Sequence, residues 1–400
     1  MSRPYDVAVI GAGAAGMMAA ATAGRHGARV VLLDHADTLA EKIRISGGGR
    51  CNFTNLDAHR PERFLSENPR FARKALAAYP PREFLALLQR HRVSSHEKHK
   101  GQLFCDESSE QVIAVLRAEC DEARVAWRMP CSVSAVERHE RGYLLRTDGA
   151  AVEARRLIVA TGGLSIPKIG ATDFGFRLAR QFGLRIVEPR PALVPLTFSA
   201  ASWKPFVDLA GLSLEVKVRC GRGEFDEDLL FTHRGLSGPA ILQISSYWNP
   251  GEPLLIDLAP AWRGESLATE LLEKKASSRQ TLGNVLAQIL PRRLADGWLA
   301  LRGDPAATRI GEVQDRVLRQ LAESLKRWTV VPDGTEGFRK AEVTRGGVAT
   351  DELDAATLEA KKTPGLFFVG EVVDVTGWLG GYNFQWAWAS GAAAGRAAAG

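Results

Sequence analysis

Long apolar runs are absent from this sequence of 400 residues. No stretch approaches the roughly 18–20 consecutive apolar residues that a membrane-spanning helix needs. The start, MSRPYDVAVIG, enters a strand pattern at once and shows neither the apolar core nor the small-residue cleavage site of a secretory leader. The two absences predict a protein of the cytoplasm.

Paired cysteines are also missing. The five cysteines, at positions 51, 105, 120, 131 and 220, form no CxxC pair, and their number is odd. We therefore expect neither a disulfide framework nor a cysteine-bound zinc site. Unpaired cysteines are typical of a reducing compartment. The histidines have no acidic or cysteine neighbours at metal-ligand spacing, so we expect no metal site.

Neither sign of charge dominates strongly. The formal charge of +6 and the pI near 9.1 are mildly basic, which allows an anionic partner such as a nucleotide or a nucleic acid but establishes neither. A composition of 45% hydrophobic and 24% charged residues is typical of an ordinary globular protein. The length predicts two or three domains.

The most informative stretch that is present runs from Tyr5 to Asp34. An apolar run short enough for one buried strand is followed by GAGAAG at 11–16, an Ala-rich helical segment and a second apolar run that ends at Asp34. Gly11 permits a tight turn, Gly13 lets backbone approach a pyrophosphate, and Gly16 allows close helix–strand packing. The pattern predicts a dinucleotide site with Asp34 on a ribose; the alternative is a tight βαβ turn without a ligand.

A second glycine-rich segment, SGGGRCN at 46–52, is too short and too specific for a flexible linker. It suggests backbone pressed against a ligand, with Arg50 and Asn52 placed to hydrogen-bond it. A surface loop is the alternative. The basic run at 90–100 holds three of the eight histidines. It could grip phosphate of NADPH or of a nucleic acid, or it could be a solvated loop.

The regular elements follow from periodicity. Two short helices broken at Pro80-Pro81 are expected within 69–91, and further helices over 109–124 and 172–183. A β-meander is expected over 125–159, and its last strand leads into Ala160-Thr161-Gly162-Gly163. That turn is a second, independent pointer to the nucleotide site.

From residue 190 prolines and short β-like runs indicate a separate β-rich domain, and 261–328 is predicted to be helical. The dense turn at 231–239 carries His233 and Arg234. At the other end, a strand at 366–369 precedes Gly370-Glu371-x-x-Asp374 and Gly380-Gly381-Tyr382-Asn383, which opens an Ala-rich helix. The first segment can offer a carboxylate to a ribityl chain. The second can aim N–H groups at the pyrimidine end of a flavin.

These motifs together resemble the two-dinucleotide-binding-domain flavoproteins, whose ligand is FAD. More narrowly, SGGGRCNFTN, FTHRGLSGPA, VTRGGV and the C-terminal segment are similar to the BaiN/YhiN-like family of NAD(P)/FAD-dependent oxidoreductases. The resemblance covers nearly the whole chain. It implies an α/β, Rossmann-like FAD-binding domain built from a parallel sheet plus a β-meander, with an inserted β-rich domain and a helical subdomain.

The expected boundaries are 1–189 with 340–400 for the FAD-binding domain, 190–260 with 329–339 for the β-rich domain, and 261–328 for the helical subdomain. The family has been linked both to reduction of C=C bonds in steroid-like substrates and to uridine reduction in ribosomal RNA. The resemblance, together with the motifs, implies the following FAD-binding residues: Gly11, Ala12, Gly13, Ala15, Gly16, Asp34, His35, Lys42, Gly48, Gly49, Arg50, Cys51, Asn52, Val133, Thr161, Gly162, Gly163, Gly370, Glu371, Asp374, Gly380, Gly381, Tyr382 and Asn383.

A flavin carries the redox chemistry, so the protein must supply binding, orientation and a proton. The candidate catalytic residues are Cys51, His233, Arg234 and Tyr382. A buried inert thiol is the alternative for Cys51, and a structural turn the alternative for His233 and Arg234. No second GxGxxG follows a strand, so we expect no dedicated NAD(P)H domain. NAD(P)H is expected as a transient reductant at the open flavin face; the alternative is another electron donor.

Three functions remain open on the sequence alone. The first is transfer of a hydride from NAD(P)H through FAD to a C=C or carbonyl of a small, unidentified substrate. The second is FAD-dependent reduction of uridine to dihydrouridine in ribosomal RNA. The third is a flavin-binding redox sensor with little turnover.

Overall fold

The computed structural model describes residues 4–400. The first three residues, which belong to the N-terminal segment considered above for a secretory leader, lie outside the described part. Numbered in chain order, its strands are β1 (Tyr5–Ile10), β2 (Val30–Leu33), β3 (Asn52–Asn55), β4 (Phe64–Leu65), β5 (Ser95–Glu97), β6 (Gln102–Cys105), β7 (Ala126–Arg128), β8 (Val133–His139), β9 (Gly142–Thr147), β10 (Val152–Val159), β11 (Ile186–Ala192), β12 (Leu196–Thr197), β13 (Ser213–Cys220), β14 (Gly223–Thr232), β15 (Gly235–Ser237), β16 (Leu254–Asp257), β17 (Trp328–Val330), β18 (Gly334–Thr335), β19 (Val343–Val348), β20 (Leu366–Phe368) and β21 (Thr376–Gly377).

Its helices are α1 (Ala14–Arg25), α2 (Glu41–Ile45), α3 (Arg73–Ala78), α4 (Pro81–Arg90), α5 (Glu110–Glu122), α6 (Phe174–Gln181), α7 (Ala200–Trp203), α8 (Pro239–Ser245), α9 (Ser266–Ser277), α10 (Leu282–Leu286), α11 (Arg292–Arg302), α12 (Asp315–Lys326) and α13 (Tyr382–Ala399). The short helix α2 was not predicted, whereas the break at Pro80-Pro81 was.

The described chain divides into two compact units. One comprises the residues up to Pro191 together with Glu342–Gly400, and the other is the continuous segment Ala192–Ala341. The first unit is built on a sheet of order β7-β2-β1-β10-β9-β8, with β20 also paired to β10. Strands β7, β2, β1, β10 and β20 are parallel to their neighbours in this group. The predicted Rossmann-like α/β fold is therefore confirmed.

Strand β10 joins the parallel strands to the meander because it pairs with two different strands along the same edge. Its first half, at Val152–Ala154, pairs antiparallel with β9, and its second half, at Leu157–Val159, pairs parallel with β20. Its other edge holds β1. The carboxyl ends of β1, β10 and β20 thus meet at one edge of the sheet, where α/β folds bind their ligands.

The expected meander over 125–159 is shorter than predicted. Strand β7 pairs parallel with β2 and only β8, β9 and β10 form the antiparallel part. The physical reason is that β2 offers a free edge beside β1, which β7 fills. Local alternation in sequence does not tell which partner a strand will find.

The first and last helices of the chain pack directly on each other. A Cβ atom placed on Gly391 would lie 2.5 Å from the carbonyl oxygen of Ala15, and one on Gly395 would lie 2.5 Å from that of Ala19. Glycine at both positions lets α13 approach the backbone of α1 closely. Any larger side chain at either position would prevent this approach. This contact ties both chain ends into the first unit.

The second unit has its own sheet, of order β17-β16-β13-β14-β15-β12-β18. Its helices share an aromatic core with that sheet: the ring of Trp328 in β17 lies 5.2 Å from Phe206 and edge-on to Trp298 of α11 at 5.5 Å. Strand β17 begins at Trp328, the last residue of the segment predicted to be helical. The finer division into a β-rich and a helical part stays a prediction.

Over residues 4–400, no helix is long and apolar enough to cross a membrane. Within the same described part, no group of three or more His, Cys, Asp or Glu could hold a metal ion.

Candidate active site

The glycine turn lies at the carboxyl edge of the parallel strands. Gly11 follows β1, and its N–H donates to the carbonyl of Leu33 in β2 at 2.8 Å. Gly13 is the N-cap of α1, so the free N–H groups and the positive end of the helix dipole face the space beyond the sheet. Gly11 has φ +105, and a Cβ atom there would overlap the backbone at Ala160. The turn therefore needs glycine for its conformation and for its contact with β10.

Asp34 is bonded to the same turn. Its Oδ2 accepts the N–H of Ala12 at 2.6 Å, and its Oδ1 accepts that of Ala36 at 2.9 Å. One carboxylate thus links the end of β2 to the glycine turn and keeps lone pairs for a further donor such as a ribose hydroxyl. The neighbouring His35 is about half exposed, with Nδ1 3.6 Å from Asp34 Oδ1. The N–H of Cys131 donates to the Asp34 carbonyl at 2.7 Å, which brings the start of β8 at Val133 to this edge.

The space along this edge fits a dinucleotide. Cβ atoms placed on four predicted ligand-binding glycines would meet nothing within 4 Å: Gly13, Gly48, Gly49 and Gly162. Thr161 adds a buried Oγ1 that has no hydrogen-bond partner among the described residues. Open backbone beside a helix N-terminus, a carboxylate and an unsatisfied hydroxyl are the donor and acceptor set that FAD requires.

The triple glycine forms a 3₁₀ turn over Ser46–Gly49 in which Gly47 and Gly48 have φ of +58 and +66. Successive backbone N–H groups in such a turn form a concavity that binds negative charge. The guanidinium of Arg50 is exposed beside it. This geometry favours the ligand-facing interpretation of the segment over a flexible loop.

Cys51 follows that turn but is fully buried, with 0% of its surface exposed. Burial raises the pKa of the thiol far above its usual value, so the side chain stays protonated. A thiol without exposed surface cannot reach a substrate. The structure thus favours the inert-thiol alternative over a role for Cys51 as proton donor.

Asn52 and Gln385 join strand β3 to the start of α13. With its amide oriented to satisfy its neighbours, Asn52 donates to the Thr54 carbonyl at 3.1 Å and accepts the N–H of Gly381 at 3.3 Å. Gln385 is fully buried; it accepts the Thr54 hydroxyl at 2.6 Å and donates to the Tyr79 carbonyl at 2.6 Å. These bonds fix the N-terminus of α13 beside the SGGGRCN segment.

A cluster of four residues links segments that are far apart in the chain: Lys42, Ser165, Thr344 and Glu371. Lys42 Nζ donates to Ser165 Oγ at 2.6 Å and forms an ion pair with Glu371. Glu371 Oε1 accepts the Ser165 hydroxyl at 2.9 Å and the N–H of Thr344 at 2.8 Å. Both carboxylate oxygens of Glu371 therefore accept hydrogen bonds from protein donors. These bonds stabilise the contact between the segments that carry Lys42, Ser165 and Thr344.

Asp374 is likewise engaged within the protein. It is 3% exposed, and its Oδ2 accepts the N–H of Glu67 at 2.8 Å and the Ser66 hydroxyl at 3.3 Å. Burial is the main cause that raises its pKa. A ribityl contact by Asp374 stays a prediction, and the observed bonds anchor the 66–67 turn.

Gly380 and Gly381 lead into α13, which begins with Tyr382 and Asn383. The Asn383 side chain accepts the N–H of Gly377 at 2.8 Å and donates to its carbonyl at 3.0 Å. Burial raises the pKa of Tyr382 to about 12, so its phenol stays a proton donor at neutral pH. Asn383 shapes the loop, and the helix N–H groups remain the means by which this segment can stabilise negative charge.

His233 and Arg234 lie in the second unit, at the two-residue turn between β14 and β15. Both side chains are exposed, and Arg234 forms an ion pair with Glu336 at 3.2 Å. Their predicted catalytic role stays a prediction.

The basic run at 90–100 is more ordered than a solvated loop. It contains strand β5, which pairs with β6, and His96 bonds Asp106 at 2.7 Å. His91 bonds the buried carboxylate of Glu119, also at 2.7 Å. Part of its charge is thus neutralised by nearby carboxylates.

Sequence reasoning missed the side chains of α13 that hold the site from behind. Trp386 Nε1 donates to the Gly370 carbonyl at 3.0 Å, Ser390 accepts the N–H of Gly370 at 3.0 Å, and Trp388 Nε1 donates to the Phe53 carbonyl at 2.8 Å. The sequence feature that could have indicated these bonds is the presence of Trp386, Trp388 and Gln385 in an otherwise Ala-rich helix. Such bulky polar-tipped residues inside a buried helix need hydrogen-bond partners.

A parallel sheet with two glycine turns and the Asp34 carboxylate on one edge is the arrangement of the Rossmann-like dinucleotide-binding class of proteins. Residues 5–397 match the family model described as the HI0933-like protein Rossmann domain. The chain belongs to this HI0933-like family.

Three relatives match almost the full chain. A ribosomal RNA dihydrouridine synthase of Escherichia coli K12 is 46% identical over 96% of this chain and 96% of its own. One of the same name from Haemophilus influenzae is 42% identical over 98% and 97%. A 3-dehydro-bile acid delta(4,6)-reductase of Clostridium scindens is 31% identical over 98% of each. The predicted resemblance to the BaiN/YhiN-like family and the prediction of an FAD-dependent oxidoreductase are confirmed.

Proposed function

We propose that this protein reduces uridine to dihydrouridine in ribosomal RNA with FAD as its cofactor. The observation that carries the proposal is the 46% identity, along 96% of both chains, to a relative named for that reaction. The reaction adds a hydride and a proton across the C5=C6 bond of the uracil ring. This function, which the sequence alone placed second, is now preferred to a small-molecule substrate.

The more distant relative supports the same chemistry on another substrate class. A 3-dehydro-bile acid reductase, 31% identical to this chain, acts by its name on a steroid with a 3-keto group and ring double bonds. Uracil also has a C=C bond conjugated to a carbonyl. In both reactions an electron-poor alkene of the substrate therefore accepts the hydride, and the protein must stabilise the negative charge that develops on the carbonyl oxygen. Relatives named for turnover also argue against the redox-sensor alternative.

When bound, FAD supplies the hydride. The residues of this chain would hold and orient it: the turn at Gly11–Gly16 and the N-terminus of α1 would bind the pyrophosphate, and Asp34 would bind the ribose. The N-terminus of α13, fixed by Asn52 and Gln385, would supply the positive helix end that stabilises negative charge on the flavin. We keep the remaining residues predicted from the sequence as proposed neighbours of the cofactor.

A proton must reach the uracil ring on the carbon that does not accept hydride. Burial keeps both Tyr382 and Cys51 protonated, but Tyr382 fits this role better because 5% of its surface remains exposed where Cys51 has none. His233 and Arg234 remain candidates for binding the carbonyl or phosphate of the substrate. NAD(P)H is the proposed reductant; since the chain has only one GxGxxG after a strand, it would bind transiently at the flavin and not in a second dinucleotide domain.

Ribosomal RNA from a strain that lacks the gene tests this function. Mass spectrometry of nuclease digests should show loss of dihydrouridine at one or more positions, and its return on expression of the wild-type protein. Unchanged dihydrouridine content in the deletion strain would overturn the proposal. In that case, flavin reoxidation by Δ4-3-keto steroids would test the small-molecule alternative directly.

A further inference from the structure

A basic cavity lies at the far end of α1 from the nucleotide-binding turn. It has a volume of about 220 Å³. Residues of α1, α4 and α13 and of the segment between α3 and α4 line it, among them Arg25, Tyr79, Glu83, Arg90 and Arg396. All of them belong to the first unit. Since α1 has 12 residues, the cavity arginine at its end, Arg25, lies about 18 Å along the helix from Gly13.

Three arginines from three different helices converge on this cavity. Arg25 ends α1, Arg90 ends α4 and Arg396 lies in the last turn of α13. Arg25 forms an ion pair with Glu119, and Arg90 lies 3.6 Å from the same carboxylate. One buried carboxylate thus faces two guanidinium groups and His91, which leaves positive charge uncompensated at this point.

Arg396 is the clearest sign of a missing anion. It is half-buried, and in the described part of the chain no carboxylate lies within ion-pair distance of it. Glu83, the acidic residue on the lining, lies instead 3.5 Å from Arg82. A half-buried guanidinium loses hydration without gaining a partner, so an anion that entered the cavity would be bound by charge-assisted hydrogen bonds.

Basic residues at helix C-termini also stabilise the helix dipole, and this simpler role accounts for Arg25 and Arg90. It does not account for a cavity. The volume is several times the roughly 30 Å³ that one water molecule occupies in the liquid, so it has room for a phosphate group. Tyr79 adds a phenol whose pKa is raised by burial, which keeps it a hydrogen-bond donor.

We propose that this cavity binds a backbone phosphate of the RNA substrate at a distance from the reacting base. The inference rests on the proposed function. A polymer with one negative charge per nucleotide can occupy two sites separated by the length of a helix, which a small substrate cannot. RNA-binding proteins gain most of their affinity from such sequence-independent phosphate contacts.

The test compares holoenzyme variants for binding to transcribed ribosomal RNA. Arg90→Gln/Arg396→Gln removes two cavity arginines and leaves Arg25, whose loss would strand the buried Glu119. The double variant should bind RNA about tenfold more weakly. The slope of log affinity against log salt should fall by about 0.7–0.9 for the phosphate contact that is lost. Flavin content, thermal stability and turnover at saturating RNA should match the wild type.

A matched control loses the same charge elsewhere on the first unit. Arg155→Gln/Arg180→Gln alters two exposed arginines that do not line the cavity, and it should change RNA affinity less than twofold. Equal weakening in both pairs would assign the effect to net charge and overturn the inference. So would unchanged affinity in the cavity variant.

Two further readouts separate the possible failures. If inorganic phosphate, at constant ionic strength, raises the melting temperature of the wild type but not of the cavity variant, and RNA affinity is the same in both, the cavity holds free phosphate and not RNA. If the wild type forms no dihydrouridine in the RNA, the proposed function itself fails. If it does so while the cavity variant binds RNA equally well, only the cavity inference fails.

Discussion

Gly16 lies so close to Gly11 that a Cβ atom on Gly16 would overlap the Gly11 carbonyl oxygen. Three residues earlier, at the N-cap of α1, the situation is reversed, because a Cβ atom on Gly13 would meet nothing within 4 Å. The same six-residue motif therefore contains Gly16, which the fold requires, and Gly13, which the fold does not require. The ligand is the remaining reason for Gly13.

We predict that Gly13→Val yields a folded protein that does not retain FAD, because the side chain would fill the space of the pyrophosphate. The measurement is the flavin-to-protein absorbance ratio, with the melting temperature compared with that of flavin-stripped wild type. Gly16→Ala is the contrasting variant. It should lower stability itself, because its methyl group meets backbone and not open space.

A yellow Gly13→Val protein with full flavin occupancy would show that the cofactor's pyrophosphate lies elsewhere. A Gly13→Val variant as unstable as Gly16→Ala would show that Gly13 also serves packing.

Gly391→Val should destabilise the first unit by about 1–3 kcal/mol, because its side chain would press on the Ala15 carbonyl, 2.5 Å from the Cβ position. Since α1 starts at the nucleotide-binding turn, flavin should also be lost more readily. Chemical denaturation and flavin release on dilution measure the two effects. Gly149→Ala, whose nearest neighbour would be 3.9 Å away, is the control and should be neutral. Equal stability of both variants would contradict the close packing of α13 on α1.

Cys51→Ser should keep flavin binding and turnover within about threefold, because the buried thiol cannot reach a substrate. Native protein should also resist iodoacetamide at pH 8, since burial raises the Cys51 pKa and the thiolate is the reactive form. A hundredfold loss of turnover with full flavin occupancy would restore Cys51 as proton donor. Tyr382→Phe is the informative partner variant: it should lower turnover while flavin remains bound.

Stability should fall steeply above pH 9. Burial raises the pKa of the Cys105 and Cys120 thiols to about 12, from 9.0 in an unfolded chain. Below pH 9 both states hold the proton; above it only the folded state does, so ionisation favours unfolding up to about pH 12. Each thiol should remove about 1 kcal/mol per pH unit in this window. Urea unfolding from pH 8 to 11 measures the slope, and Cys120→Ala should reduce it. A flat profile would contradict the burial of these thiols.

The nucleotide-binding turns could be predicted from sequence because their glycines are set by local backbone geometry. Gly11 to Gly16 and Thr161 to Gly163 each follow a recognisable buried strand, and parallel strands bring their carboxyl ends together without further information. The same reasoning located the start of α13 at Tyr382, because glycines at 380 and 381 interrupt the preceding pattern.

What sequence could not provide were the partners of polar side chains across long separations. Glu371 was predicted to face the cofactor, but its bonds to Lys42 and Thr344 depend on tertiary packing that no local pattern encodes. The pairing of β7 with β2 was missed for the same reason. The cavity around Arg396 was also invisible, because it requires three helix ends that are far apart in the chain.

The most direct test of the account is dihydrouridine formation by the purified holoenzyme. Ribosomal RNA from a strain that lacks the gene is incubated with the protein and NADH or NADPH, digested, and analysed by mass spectrometry. We predict a mass increase of about 2 Da at a uridine that is modified in wild-type RNA, with no product from Gly13→Val. Full flavin occupancy, rapid flavin reduction and unmodified RNA would contradict the account.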